Sequence, residues 1–140
     1  MFVEAHERYM KATRDIDYVV SIVLSGAVVG IVSPLLKEQG GHTTHSLLAR
    51  IDSLIAEPRD LPIHEGMFRA IYNAVKHAGN DRQNIAPSTD LEIETDLRAE
   101  AAHMLDAAKQ DFRQIEVLPE LSDSLSRKFV GLLESEMSYA

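Results

Sequence analysis

The chain has 140 residues, a length that suits one domain, and we predict a single helical domain over residues 1–140. Hydrophobic residues make up 45% of the chain and charged residues 26%, which is a globular rather than a disordered composition. The sequence contains no cysteine, so disulfides, thiolate metal sites and cysteine nucleophiles are excluded. A cysteine-free chain is compatible with the cytoplasmic location that we predict.

The net charge of −8 is spread unevenly along the chain. Residues 1–50 hold five basic and five acidic residues, whereas residues 81–140 hold six basic and thirteen acidic residues. Duplex DNA is bound by neutralising its phosphates, so this balance argues against a duplex-DNA partner. A smaller basic site in the chain stays compatible with the overall charge.

A first helix is predicted at the N-terminus, where Phe2, Ala5 and Tyr9 repeat at helical spacing. Asp15 or Asp17 is suited to cap a second helix, because Asp side chains accept hydrogen bonds from the free N–H groups of a first turn.

The second predicted helix contains an uncharged run over residues 19–36, which reaches the lower length limit of a membrane span. Serines, glycines and a proline dilute this run, and the spacing of Gly26 and Gly30 suits close helix packing. We therefore predict a central helix that is buried on most sides, with a membrane span as the less favoured alternative.

Breaks in the sequence define the next two helices. Gly40 and Gly41 end the second helix, and Thr43 or Thr44 caps a third. Pro62 suits the first position of a fourth helix, which runs to a loop over residues 79–88.

A long fifth helix is predicted from about Asp96 to Val117, and a short extended segment is expected near Leu91. The fifth helix carries a continuous apolar stripe made by Leu97, Ala101, Met104, Leu105, Ala108, Phe112 and Ile115. Ser122 or Ser124 starts a last helix. The sequence therefore predicts an all-α fold, a compact bundle of five to six helices.

The fourth predicted helix carries a polar stripe. Arg69, Asn73 and His77 fall at positions i, i+4 and i+8, with Tyr72 and Lys76 beside them. Such a ladder can present a cation, an amide and a titratable imidazole to one substrate. The alternative is that these residues form the solvated face of an amphipathic helix.

A metal site has weaker support. His42 and His45 have an i, i+3 spacing, and Glu38 and residues 64–65 could add zinc ligands. A helix cap explains the two threonines between those histidines equally well, so we predict no metal site. His103 is interpreted as an isolated surface or boundary residue. Since no phosphate-binding or dinucleotide motif is present, we predict no cofactor.

Two segments resemble HEPN-like proteins. Residues 17–27, followed by Leu35 and Leu36, resemble the small-residue second helix of that family. The run from Tyr72 to His77 (YNAVKH) resembles the segment that carries the HEPN catalytic motif, an Arg followed by a polar residue and, after a short gap, a His.

The resemblance implies metal-independent endoribonuclease chemistry at the paired motif helices of two protomers. His77 corresponds to the catalytic His and Asn73 to the polar residue of the motif. Tyr72 stands at the Arg position, whereas Arg69 lies one turn earlier. Residues 28–30 stand where the second helix of the family often carries acidic residues.

We therefore predict a non-catalytic or degenerate HEPN-like module that forms a homodimer and binds RNA or a partner protein, with Lys76 and Arg82 as RNA-binding residues. The alternative is a metal-independent endoribonuclease of a toxin–antitoxin or phage-defence system. In that alternative His77 is the general acid or base and Arg69 stabilises the phosphate charge, while Asn73 and Tyr72 orient groups around them. No membrane partner is predicted.

Overall fold

The computed structural model describes residues 1–57, 65–77, 95–115, 123 and 125–135. These residues form six α-helices, one short 3-10 helix and no strand, which confirms the predicted all-α bundle. The α-helices are α1 (Phe2–Met10), α2 (Asp15–Glu38), α3 (Thr44–Ile55), α4 (Ala70–His77), α5 (Leu97–Gln114) and α6 (Arg127–Glu134), and the 3-10 helix spans Glu65–Arg69.

The core lies between α2 and α5, with α1 packed against both helices. Ile22 and Val29 of α2 and Leu105 of α5 are almost completely buried, because the apolar stripe predicted for the fifth helix faces α2. The α6 helix joins this core through Phe129, whose ring meets the edge of Phe112 with ring centroids 4.9 Å apart. These contacts make α2 the central helix of the bundle.

The apolar α2 helix is long and apolar enough to cross a membrane by length and composition, and half of its most apolar window is buried inside the bundle. Its buried hydroxyl groups are satisfied within the protein: Ser21 donates to the carbonyl of Ala5 at 2.9 Å, and Ser25 donates to the carbonyl of Ser21 at 2.7 Å. This burial favours the predicted core helix over a membrane span.

The predicted helix boundaries are confirmed around Gly40 and Thr43 but not at the start of α2. The N-cap of α2 is Arg14, so the predicted cap at Asp15 or Asp17 is wrong. Asp17 lies in the first turn of α2, where it accepts hydrogen bonds from the N–H groups of residues 13 and 14, and these bonds lower the pKa of its carboxyl. Gly40 has a φ of +78°, a left-handed conformation that suits glycine and ends α2. Thr43 caps α3 by accepting a hydrogen bond from the N–H of Ser46 at 3.1 Å.

Two later helix starts also differ from the prediction. The last helix is capped by Ser126, so its predicted start at Ser122 or Ser124 is wrong. The segment before Ala70 is a 3-10 helix rather than an earlier part of α4. The fifth helix begins close to its predicted start, where Asp96 caps it by accepting a hydrogen bond from the N–H of residue 99 at 3.0 Å, but it ends at Gln114 rather than near Val117. Pro62, the loop over residues 79–88 and the extended segment near Leu91 lie outside the described residues.

Candidate functional site

The predicted polar stripe is divided between two elements. Arg69 is the last residue of the 3-10 helix, and its guanidinium is directed back to Glu65, with Nη2 3.4 Å from Oε1. The same carboxylate oxygen lies 3.0 Å from Nζ of Lys37. Arg69 is therefore held in an ion-pair network with its own turn and with the end of α2, and its side chain is mostly buried.

The Tyr72 side chain packs α4 against α2. Its ring lies so close to Gly26 that a Cβ atom at that position would overlap it. The second glycine of the predicted packing pair, Gly30, has no atom near the position of a Cβ and is exposed. Tyr72 is therefore partly buried and packs against the core.

The remaining stripe residues lie along α4. Asn73 is half-buried, and Lys76 is exposed with its Nζ 5.7 Å from the centroid of the Tyr72 ring. His77 ends α4, but its side chain lies outside the described part of the structure, as does Arg82. The structure thus brings Lys76 and Tyr72 together and directs Arg69 to a different neighbourhood.

A pair of histidines, the buried His45 and the half-buried His103, joins α3 to α5. His45 and His103 face each other with their Nε2 atoms 3.0 Å apart. At this distance the N–H of one ring donates a hydrogen bond to the unprotonated nitrogen of the other ring. The ring of His45 also stacks on Phe68, with centroids 6.0 Å apart and planes 6° apart. The prediction that His103 is isolated is wrong, because it pairs with a residue 58 positions away in the sequence.

A second polar contact joins the start of α3 to α5. Oδ1 of Asp111, which is fully buried, accepts hydrogen bonds from the N–H of Thr44 at 2.6 Å and from its hydroxyl at 2.7 Å. One of the free N–H groups at this helix start is therefore satisfied by a side chain of a neighbouring helix. Thr44 thus anchors α3 to the bundle, whereas Thr43 caps it.

His45, His103, Thr44, Asp111 and Arg69 form one polar cluster. Burial is the largest cause of the pKa shifts within it. It lowers the pKa of His45 to about 4, and the His103 imidazole and the Arg69 guanidinium act in the same direction. Burial also raises the pKa of the Asp111 carboxyl, against the opposing effect of the two Thr44 hydrogen bonds. His45 is therefore a neutral imidazole at neutral pH, and it is only 1% exposed.

Three buried atoms of this cluster have no hydrogen-bond partner among the described residues: His45 Nδ1, Arg69 Nε and Asp111 Oδ2. A buried polar atom without a partner costs stability. The hydrogen bonds that attach α3 to α5 therefore stabilise the fold, whereas these three unpaired atoms reduce that stabilisation.

The arrangement does not resemble a metal centre. The described residues contain no group of three His, Cys, Asp or Glu side chains that could hold a metal ion. In the zinc alternative His42 and His45 would share a site, whereas His45 pairs with His103 instead. The carboxylate of Glu65 is occupied by ion pairs, and His64 lies outside the described residues.

The cluster is missed by sequence reasoning because its members come from three separate elements. A signal was present on α5, where His103, Ala107 and Asp111 repeat at i, i+4 and i+8. Two polar residues in line with Ala107, beside the apolar stripe of this helix, are compatible with a buried polar partner, but the spacing does not identify which residue it is.

Comparison of the chain with known protein families, with curated proteins and with solved structures finds no match. The resemblance of the Tyr72–His77 segment to the HEPN motif therefore stays a prediction.

Proposed function

We propose that this chain is a non-catalytic, HEPN-like interaction module of the cytoplasm, which acts by associating with another macromolecule rather than by cleaving RNA. One observation carries the proposal: two of the four residues predicted for catalysis are engaged by the fold. Arg69 is held by Glu65, and Tyr72 fills the space left by Gly26. Arg69 would have to leave its ion pair with Glu65, and Tyr72 its packing on α2, before either side chain could orient or stabilise a phosphate.

A catalytic Arg acts through charge that it directs at the substrate in the transition state. The guanidinium of Arg69 instead pairs with the Glu65 carboxylate, which also pairs with Lys37. The negative charge of Glu65 therefore neutralises part of the positive charge of Arg69. The residue that corresponds to the motif Arg is a tyrosine, which carries no cation at neutral pH. These two facts favour a degenerate motif over an active one.

The test is a ribonuclease assay on purified protein in EDTA, with a structured RNA as substrate and with His77→Ala as the matched variant. We expect the RNA to remain intact with both proteins. Cleavage by the wild-type protein that is abolished in His77→Ala would contradict the proposal and would establish His77 as a catalytic residue.

RNA binding, which the non-catalytic module allows and the metal-independent endoribonuclease alternative requires, is favoured by Lys76. Its exposed ammonium group lies over the Tyr72 ring, so a cation is held on the outward side of α4 beside Asn73. RNA binding through this group predicts that Lys76→Glu abolishes the retardation of a labelled RNA in a gel, whereas Lys11→Glu on α1 does not.

A further inference from the structure

The α3 helix carries an apolar face that is exposed to solvent. Leu54 and Ile55 are 78% and 76% exposed, Ile51 is 55% exposed and Leu47 is 40% exposed. At about 100° per residue, all four side chains lie within about 60° of Ile51 around the helix. A continuous apolar surface of this kind is characteristic of an interaction site.

The reason for this exposure is the way in which α3 is attached. His45 is the only residue within α3 that is buried, and the helix is joined to α5 by its pairing with His103 and by the hydrogen bonds of Thr44. These polar contacts, together with the stacking of His45 on Phe68 of the 3-10 helix, hold one side of α3. Its apolar side chains are left for a partner.

The apolar face is bordered by opposite charges. Arg50 and Asp52 lie about 100° from Ile51, one on each side of it. They are the only charged residues of α3, and neither forms an ion pair with another described residue. An apolar seam with one positive border and one negative border is complementary to a copy of itself.

We propose that a second copy of this chain binds the α3 face, with the two α3 helices side by side and parallel. This inference rests on the proposed function, because it names the partner of the interaction module. In a parallel two-fold pair the Arg50 side of each helix meets the Asp52 side of the other, so two ion pairs form. An antiparallel pair would bring Arg50 of one copy against Arg50 of the other.

The parallel arrangement is also compatible with the rest of the bundle. His45, which points toward α5, lies about 120° around the helix from Ile51 and on the same side as Asp52. A two-fold axis parallel to the helices therefore sends the two bundles to opposite sides of the α3 pair. The α3 surface is distinct from α4, the helix at which the resemblance to HEPN-like proteins implies that two protomers pair.

The size of the face sets the expected strength of association. A helix of 12 residues is about 18 Å long, so the interface falls below the roughly 800 Å² per partner of a standard stable complex. We expect a dissociation constant on the order of tens of micromolar.

Sedimentation equilibrium of the full chain, from micromolar to millimolar concentration, tests this interface with a charge-exchange series. Arg50→Asp places two acidic residues together at each border, and Asp52→Arg places two basic residues together. We expect each single variant to weaken self-association about tenfold. The double variant Arg50→Asp/Asp52→Arg restores opposite charges, so we expect it to return to within about threefold of the wild-type constant. Circular dichroism spectra verify that each variant is folded.

A wild-type chain that stays monomeric at millimolar concentration would overturn the inference, as would a dimer that is unchanged in both single variants. The same holds if the double variant is as weak as the single ones. These results are independent of the RNA assay. A monomer that leaves RNA intact contradicts the α3 interface alone, and RNA cleavage that depends on His77 contradicts the non-catalytic function alone.

Discussion

A single glycine determines how closely α4 approaches α2. Gly26 is buried in the middle of α2, and the ring of Tyr72 occupies the space that a side chain at this position would need. Gly30, one turn later on the same helix, has open space around it. The two glycines share a sequence spacing but have opposite structural roles.

Alanine substitutions at these glycines are therefore expected to have opposite signs. Gly26→Ala forces the Tyr72 ring to move, and we expect a loss of about 1–3 kcal/mol in the free energy of unfolding. Gly30→Ala adds a better helix former without a clash, so we expect a gain of about 0.5–1 kcal/mol. Urea denaturation monitored by circular dichroism measures both values. Equal effects at the two positions would show that Tyr72 does not depend on Gly26.

The hydroxyl of Thr44 is expected to contribute to stability through Asp111. Thr44→Val keeps the shape of the side chain but removes a buried hydrogen bond to a carboxylate, so we expect a loss of about 1–3 kcal/mol. The matched control is Thr13→Val, since Thr13 is exposed and the described structure gives its hydroxyl no hydrogen bond. Denaturation midpoints that shift equally in the two variants would contradict an anchoring role for Thr44.

Individual residues differ in how far the sequence identifies them. The caps Thr43 and Asp96 could be predicted, because a cap acts within its own turn and its signal is local. The pairing of His45 with His103 could not be predicted, since it depends on the three-dimensional packing of α3 against α5. The placement of Arg69 also depended on a local feature that helical periodicity does not contain, the change from a 3-10 helix to α4.

At the scale of elements, α3 differs from the other long helices in how it is held. The α2 and α5 helices pack through apolar side chains, whereas α3 is attached by the His45–His103 pair, the Thr44–Asp111 contact and the stacking of His45 on Phe68. Its attachment should therefore depend on protonation in a way that the core does not.

Protonation of His45 gives a definite direction to that dependence. Its pKa is lowered to about 4 in the folded protein, from the usual value of 6.5 in the unfolded chain. Between these values the unfolded chain binds the proton more readily, so stability falls as the pH falls from 6.5 toward 4. We expect a loss on the order of 1–3 kcal/mol between pH 7 and pH 4.5.

His45→Gln isolates this contribution, because glutamine can hydrogen-bond to His103 but does not titrate. The variant should lose less stability than the wild-type protein over the same pH range in urea denaturation. A parallel loss in both proteins would assign the pH dependence to other groups, among them His6, whose pKa is also lowered by burial.

The starts of α5 and α6 differ in how well the local sequence predicts them. The α5 start was predicted near Asp96, which is its N-cap, because that residue precedes a strongly periodic segment. The α6 start was misplaced because several serines precede that helix and each has the side chain of a cap. The choice of Ser126 places Phe129 against Phe2 and Phe112, a tertiary contact that local spacing does not specify.

At the scale of the whole molecule, the acidic charge and the α3 face are separate properties. Most of the net charge of −8 belongs to residues 81–140, whereas α3 carries one basic and one acidic residue. Two copies can therefore meet at α3 without bringing net charge together at the seam. The all-α class could be predicted from the sequence because it follows from periodicity and caps. The exposed side of α3 could not be predicted, because it depends on the tertiary contacts of Thr44 and His45 with α5.

The absence of cysteine makes the central claim directly measurable, because a single introduced cysteine can form a disulfide only between two copies. In a parallel pair Leu47 meets Leu47 and Ile55 meets Ile55, within reach of the Cα separation that a disulfide needs. We expect Leu47→Cys and Ile55→Cys each to form disulfide-linked dimers under mild oxidation, much faster than the exposed control Lys11→Cys. Rates equal to that control would contradict a parallel α3 interface, as would dimers that form only when the two variants are mixed.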